Sequence, residues 1–255
     1  MTATTADYMR LLGLRPDTRP SVESLAQLQL QHLYTVPFEN LSIHCGEPIV
    51  LEQQALWNKI VTRRRGGFCF ELNGAFAGLL SALGFDVTLL SAQVFDHGEP
   101  GPPLDHLALR VDLDEPWLVD VGFGRFARRP VPLNSRDRHT DDEADIHIVD
   151  TDHGDLDVYF DGAAAYRLDP KPRRLTDFDA MAWYHSHSPA SPFTGRVSCS
   201  VATPDGRVTV SGNRLITTVD GDRTERTLNN DDVVAAYRRY FGISLTRAPS
   251  VRAAT

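Results

Sequence analysis

A cysteine set behind two glycines and ahead of an amphipathic stripe is the residue in this chain best placed for nucleophilic chemistry. It is Cys69, in the run Arg63-Arg64-Arg65-Gly66-Gly67-Phe68-Cys69-Phe70-Glu71-Leu72-Asn73. The stripe Phe76, Leu79, Leu80 and Leu83 that follows reads as helix, which puts the thiol at or just inside a helix N-terminus. There the helix dipole and the unpaired backbone N–H groups favour a thiolate. The glycines allow the backbone to approach a ligand closely. A small cysteine buried in a helix gives the same local pattern, so the assignment needs partners elsewhere.

A thiolate needs a base, and the base needs a group to orient it. Nine histidines compete for the first role, and His97, His139 and His153 sit among polar residues. His106 instead begins the alternating segment His106–Val111, and Asp120 lies in the alternating segment Trp117–Val121. The residues Asp112–Pro116 between them read as a hairpin loop. A hairpin centred on Leu113 sets His106 directly opposite Asp120, on the face away from Leu107, Leu109, Val119 and Val121. Directly opposed Cβ atoms lie about 4.5–5.5 Å apart, within reach of a side-chain hydrogen bond. A one-residue slip would send the two to opposite faces. An Asp between Val119 and Val121 needs a partner if it is buried, and His106 is the one the pairing offers.

The elements that must carry these residues change along the chain. Ser21 can cap a helix running towards Pro37, with Leu25, Leu28 and Leu33 as an imperfect stripe. Leu51, Ala55, Leu56 and Ile60 form a second stripe, and the stripe after Cys69 ends at Gly84, a suitable C-terminal cap. Beyond it the pattern becomes strands: Asp86–Phe95, His106–Val111, Trp117–Val121, Ile146–Val149, Leu156–Phe160, Arg196–Ala202, Arg207–Ser211 and Leu215–Val219. Asn134–Asp145 reads as a polar loop, Asp231–Tyr240 as a final helix, and Thr246–Thr255 as a mobile tail of mostly small residues. Helices, then strands, then one helix give an α+β architecture.

Composition narrows the partners. The chain has 255 residues, 42% hydrophobic and 24% charged, ordinary values for a globular protein. A net charge of −8 argues against nucleic acid, which needs a cationic face. No apolar run approaches the roughly 20 residues of a membrane span, and the N-terminal residues lack the basic and apolar regions of a signal peptide. Cys45, Cys69 and Cys199 give neither a disulfide framework nor a zinc pattern, so free thiols in a cytoplasmic protein are expected. His185 and His187 are too few for a metal site and read as structural or surface residues. Gly122-Phe123-Gly124 matches no phosphate-binding motif, but directly after Asp120 it is placed to line a thioester site.

At these residues the sequence resembles the arylamine N-acetyltransferases. RGGFCFELN (Arg65–Asn73) is similar to that family's nucleophile motif and VPFENL (Val36–Leu41) to its upstream signature. DHLALRV (Asp105–Val111) resembles the histidine strand, and LVDVGFG (Leu118–Gly124) the aspartate strand and its following loop. Weaker likeness runs through Trp183–His187 and Thr203–Leu215 to Phe241-Gly242-Ile243, so it covers nearly the whole chain. The ordered set is what makes the likeness specific.

The resemblance implies a Cys69–His106–Asp120 triad between the first two of three domains. These are a helical domain over 1–84, a β-barrel-like domain over 85–190 and a small α/β lid over 191–255, short at its C-terminal end. It implies acetyl-CoA as co-substrate, no permanently bound cofactor and no metal. The expected activity is N-acetylation of arylamines and aryl hydrazines by a ping-pong route through acetyl-Cys69. Phe38, Phe95, Gly122, Phe123 and Gly124 are the expected pocket residues, and Phe126 is a further candidate. The family position that Arg64 or Arg65 matches suggests an ion pair with Glu39. Asp105 departs from the family, where Thr is common before the histidine.

An alternative within the same likeness is an amide synthase that releases or macrocyclises an ansamycin-type polyketide from a carrier protein. Thiol hydrolases and transglutaminase-like enzymes share the order Cys, His, Asp, but VPFENL and DVGFG argue against them. With Phe38 and Phe123 near the nucleophile, and no carboxylate that the sequence places in the pocket, arylamines are expected to outrun lysine-like alkylamines.

Overall fold

The protein is described here by a computed structural model covering residues 2–141 and 144–251. Parts of two sequence expectations, the polar loop at 142–143 and the tail at 252–255, lie outside the described residues. The helices are α1 (Thr5–Leu11), α2 (Val22–Thr35), α3 (Leu41–Cys45), α4 (Gln53–Trp57), α5 (Cys69–Ala82), α6 (Asp179–His187) and α7 (Asn230–Phe241). The first strands are β1 (Phe38–Glu39), β2 (Asp86–Asp96), β3 (Glu99–Pro100), β4 (His106–Asp112), β5 (Pro116–Val119), β6 (Val131–Pro132) and β7 (His139–Thr140). They are followed by β8 (Asp145–Asp150), β9 (Leu156–Phe160), β10 (Ala163–Arg173), β11 (Ser198–Thr203), β12 (Gly206–Ser211), β13 (Arg214–Val219) and β14 (Asp222–Thr227).

Local sequence explains the helices that matter. Ser21 caps α2, its hydroxyl accepting from the Ser24 N–H at 3.1 Å. The second stripe becomes α4 followed by a π-helical turn over Asn58–Thr62, a form that moves residues out of ordinary helical register. α5 carries so many apolar residues that nearly all of it is buried, and it packs on β2 and β4. Leu83 is its C-cap, and Gly84 is the next residue.

The strands form two antiparallel sheets. One runs β6-β5-β4-β2-β10-β9-β8-β7, with β3 paired to β2, and curves into a nearly closed barrel. The other runs β1-β11-β12-β13-β14 and carries α7. Alternation divides β4 between two cores. Leu107, Leu109 and Val111 join the helical core around α5, while Ala108 faces the barrel interior with Leu90, Leu118 and Tyr166. The third core lies between α7 and the second sheet.

Two segments cross between these units. Phe38 and Glu39 pair with Ser200 and Cys199, and Leu41 is buried in the third core. α6 follows the barrel strands in sequence, but its Ala182 is buried with the helical core. Both crossings converge on the segment that leads into Cys69: Phe38 bridges to Gly67, and His185 of α6 packs edge-on against Phe68. No helix among the described residues is long and apolar enough to cross a membrane.

Candidate active site

Cys69 is the first residue of α5, with Phe68 as N-cap, so its thiol stands at the helix N-terminus. The first turn is braced by Glu71, whose Oε2 accepts the Phe68 N–H at 3.3 Å while Oε1 pairs with Lys59 at 2.7 Å. The segment before it is tied by Arg65, whose Nε lies 2.9 Å from Glu39 Oε1. Of the two arginines that the likeness left open, Arg65 makes this pair; Arg63 and Arg64 are exposed. Burial works against the Glu39 charge, but Lys59 and Arg65 hold its carboxyl below the ordinary range. The nucleophile segment is therefore pinned by two buried ion pairs, each expensive to break from one side.

β4 and the end of β5 bring His106 and Asp120 to the same place. His106 Nε2 lies 2.7 Å from Asp120 Oδ2, and both residues are almost fully buried. The pairing differs in detail from the sequence expectation. Asp112 pairs with Pro116 and Leu109 with Val119, so the hairpin is centred on Asp114 and its loop is Leu113–Glu115. Asp120, just past the end of β5, thus falls diagonal to His106 instead of opposite it. The face is unchanged, because moving the centre by one residue shifts the pairing by two.

Asp120 is held from three sides. Besides His106, its Oδ1 accepts from Asn73 Nδ2 and from the Gly122 N–H, both at 2.8 Å. Asn73 is one helical turn beyond Cys69 and also bonds the Leu107 carbonyl and the Val121 N–H. One side chain therefore locks α5 to β4 and to the segment just past β5. Its place four residues after Cys69 was a signal for this role, since such residues share a helix face.

The Cys69 thiol and the His106 ring act on each other: His106 lowers the thiol, and Cys69 raises the ring. Nε2 is taken by Asp120, which leaves Nδ1 for the thiol. Burial disfavours an imidazolium here, but the Asp120 carboxylate and its hydrogen bond, joined by Cys69, raise His106 to about 10. His32 gives the contrast. It is equally buried, is bonded to the Tyr8 hydroxyl, and is pushed down to about 3. The helix terminus alone does not make Cys69 a thiolate: burial pushes the thiol up, and His106 supplies the opposing pull. The charge that matters is thus shared by the pair, with His106 poised to take the thiol proton.

A cavity of about 630 Å³ opens on Cys69 and His106. Phe38, Phe95, Gly122 and Phe123 line it, as the sequence led us to expect. Gly124 does not; it has φ +92°, and its part is to turn the chain. Phe126 is in the barrel core. Among the lining residues outside the sequence expectation are Asp105, Tyr184, His185 and Phe193. His185 is buried against Phe193 and is no surface residue, whereas His187 is exposed. The expectation of a pocket without carboxylates is also overturned, because Asp105 and Asp96 both line it. The sequence could not bring α6 and the 190–193 segment to the triad, since they arrive through tertiary packing.

Gly122 is required by close approach. A Cβ there would stand 2.7 Å from Asn73 Nδ2 and 2.8 Å from Cys69 Cα. Gly122→Ala is expected to cost about 1–3 kcal/mol through overpacking. It should also lower transfer by up to about 100-fold, as the nucleophile and its base are pushed apart. Thermal unfolding and single-turnover rates on the same preparation check both effects.

An N-acetyltransferase family model matches residues 21–250. The chain belongs to the arylamine N-acetyltransferase family. An arylamine N-acetyltransferase of Mycolicibacterium smegmatis is 33% identical, over 82% of this chain and 80% of that protein. A solved structure of the M. smegmatis enzyme superposes with a TM-score of 0.88 at 30% identity, covering 95% of this chain and 93% of the other. The Mycobacterium marinum family member, solved in complex with CoA, superposes at 0.86 and 27% identity, over 94% of this chain and 93% of that one. Membership makes the chain an acyltransferase, and a family in which CoA occupies a solved structure fits a cavity open to the Cys69 sulfur.

Proposed function

We propose that this protein transfers an acetyl group from acetyl-CoA to arylamines and aryl hydrazines, with Cys69 as nucleophile, His106 as acid–base group and Asp120 as its orienter. The observation that carries this reading is the 2.7 Å His106–Asp120 contact beside a thiol at a helix N-terminus, inside an aromatic-walled cavity.

His106 takes the thiol proton, and the Cys69 thiolate attacks the acetyl carbonyl. The tetrahedral oxyanion sits near the backbone N–H groups at the start of α5, where the helix dipole is positive. The carbon–sulfur bond to CoA breaks, and His106 returns its proton to the departing thiolate. One thioester replaces another, so acetyl-Cys69 forms at little cost in free energy. The arylamine then attacks the acetyl-cysteine carbonyl, His106 receives the amine proton, and the thiolate leaves as the amide forms. Asp120 keeps the tautomer that makes both transfers possible. A cytoplasmic location, where acetyl-CoA is available, belongs to this reading.

Arylamines are expected to react faster than alkylamines. At pH 7 an aromatic amine is the free base, whereas only about 10⁻³ to 10⁻⁴ of a lysine-like amine is, given its pKa of about 10.4. An alkylammonium drawn to a pocket carboxylate is held there in its unreactive form. Second-order rate constants with pre-acetylated enzyme should favour aniline over a lysine-like amine by about 100-fold or more. Comparable constants contradict the reading. A carrier-protein-bound acyl donor that outcompetes acetyl-CoA would indicate an amide synthase instead.

A further inference from the structure

The cavity beside Cys69 holds a second histidine–carboxylate pair that the triad does not use. His185 Nε2 lies 3.0 Å from Asp105 Oδ1, with side chains only 4% and 13% exposed. His185 Nδ1 lies 3.1 Å from the Ser191 hydroxyl. The Ser191 hydroxyl donates to the His185 carbonyl at 3.0 Å, so its oxygen is left to accept from Nδ1, and the ring presents Nε2 to the Asp105 carboxylate as a close ionic contact. Phe70 and Phe193 pack on the His185 ring, with centroids 6.0 and 5.1 Å away, so the pair is fixed in place.

The surroundings decide what this pair can receive. Asp105 precedes His106 in the chain, and its side chain faces the same cavity as the Cys69 sulfur. Asp96 stands at the exposed rim and adds a second carboxylate. No Lys or Arg is among the described residues that line the cavity, and Phe38, Phe95, Phe123 and Phe193 supply aromatic walls. His106 lines the cavity too, but its charge is met by Asp120, so the Asp105 carboxylate among aromatic faces repels an anion and attracts a cation.

We propose that Asp105, held by His185, is the acceptor-specificity subsite of this enzyme. It receives a cationic, N–H-rich substituent, such as an amidinium or ammonium group, on an arylamine whose other end presents the nucleophilic nitrogen. The inference rests on the acetyl-transfer reading and names the substrate class for it. Asp105 is a specificity residue and takes no part in the proton transfers. An amidinium can give a carboxylate two parallel hydrogen bonds with charge on both partners, whereas the isosteric neutral amide brings no positive charge to the contact.

Three acceptors of one shape test it: 4-aminobenzamidine, 4-aminobenzamide and 4-aminobenzoate. The wild-type enzyme should prefer the amidine to the amide by about tenfold or more in kcat/KM, with the benzoate slowest. The amidinium withdraws more electron density from the amine than the amide does, so such a preference runs against intrinsic reactivity. Asp105→Asn should lower the amidine-to-amide ratio by about tenfold. A second readout requires no transfer: benzamidine should slow alkylation of Cys69 by iodoacetamide, followed by peptide mass, more than benzamide does. Asp105→Asn should remove that difference. The inference is overturned if the wild-type enzyme prefers the amide, if the ratio is unchanged in a folded Asp105→Asn protein, or if benzamidine and benzamide protect Cys69 equally. If benzamidine protects through Asp105 but no arylamine is acetylated, the transfer reading falls and the subsite stands.

Discussion

Asp120→Asn is expected to lower acetyl transfer by about 10³- to 10⁴-fold while the protein stays folded. The loss comes from the tautomer. Oδ1 of an Asn could keep both present donors, the Asn73 amide and the Gly122 N–H. Its Nδ2 would then face His106 Nε2 where a carboxylate oxygen now accepts. The ring can satisfy that contact only by accepting at Nε2, which puts its proton on Nδ1, facing Cys69. A ring in that state cannot take the thiol proton. The titration should change as well. With the carboxylate gone, only Cys69 is left to oppose burial, and His106 should fall well below its wild-type value of about 10, in the direction seen in buried His32. The sign for stability follows. A group raised on folding stabilises fully below its unfolded value near 6.5, and that contribution fades as pH rises towards about 10. The variant should lack this pH-dependent component. Rates and an NMR titration of the His106 ring check both, and a loss below tenfold would contradict the assigned role of Asp120.

Cys69→Ala is expected to reduce transfer by about 10⁶-fold, the scale of losing a triad nucleophile. The fold should survive, because Cys69 is a small buried residue at the first position of α5 and Ala favours a helix. Cys45 is exposed, and Cys199 is buried in the third core, away from the cavity. Cys45→Ala and Cys199→Ala should keep transfer, with some stability lost at Cys199. Substantial turnover by Cys69→Ala would remove the covalent route.

The triad was legible because each member breaks a local pattern: a cysteine after two glycines, and a histidine and an aspartate in otherwise apolar strands. The register of their hairpin was not. Its loop is closed at Pro116, which begins β5 where no pattern marks the pairing. β10 escaped notice for a related reason. It opens on three alanines and contains Pro170 and Pro172, yet the sheet accommodates the prolines at a bulge between Asp169 and Pro172. β14, Asp222–Thr227, is fully exposed and charged, so no apolar alternation announces it. Asp105 and His185 lie far apart in sequence and meet only because α6 packs back onto the helical core. The helix-end argument for the Cys69 thiolate was incomplete for another reason. Sequence shows the dipole but not the depth of burial, and burial is the larger influence.

Intact-protein mass after incubation with acetyl-CoA, without acceptor, tests the central claim most directly. The account predicts a gain of one acetyl group, carried by the Cys69 peptide, absent in Cys69→Ala and discharged on adding aniline as acetanilide appears. Turnover of aniline with no acetyl-Cys69, or an acetyl group that sits on another residue and transfers from there, would contradict it.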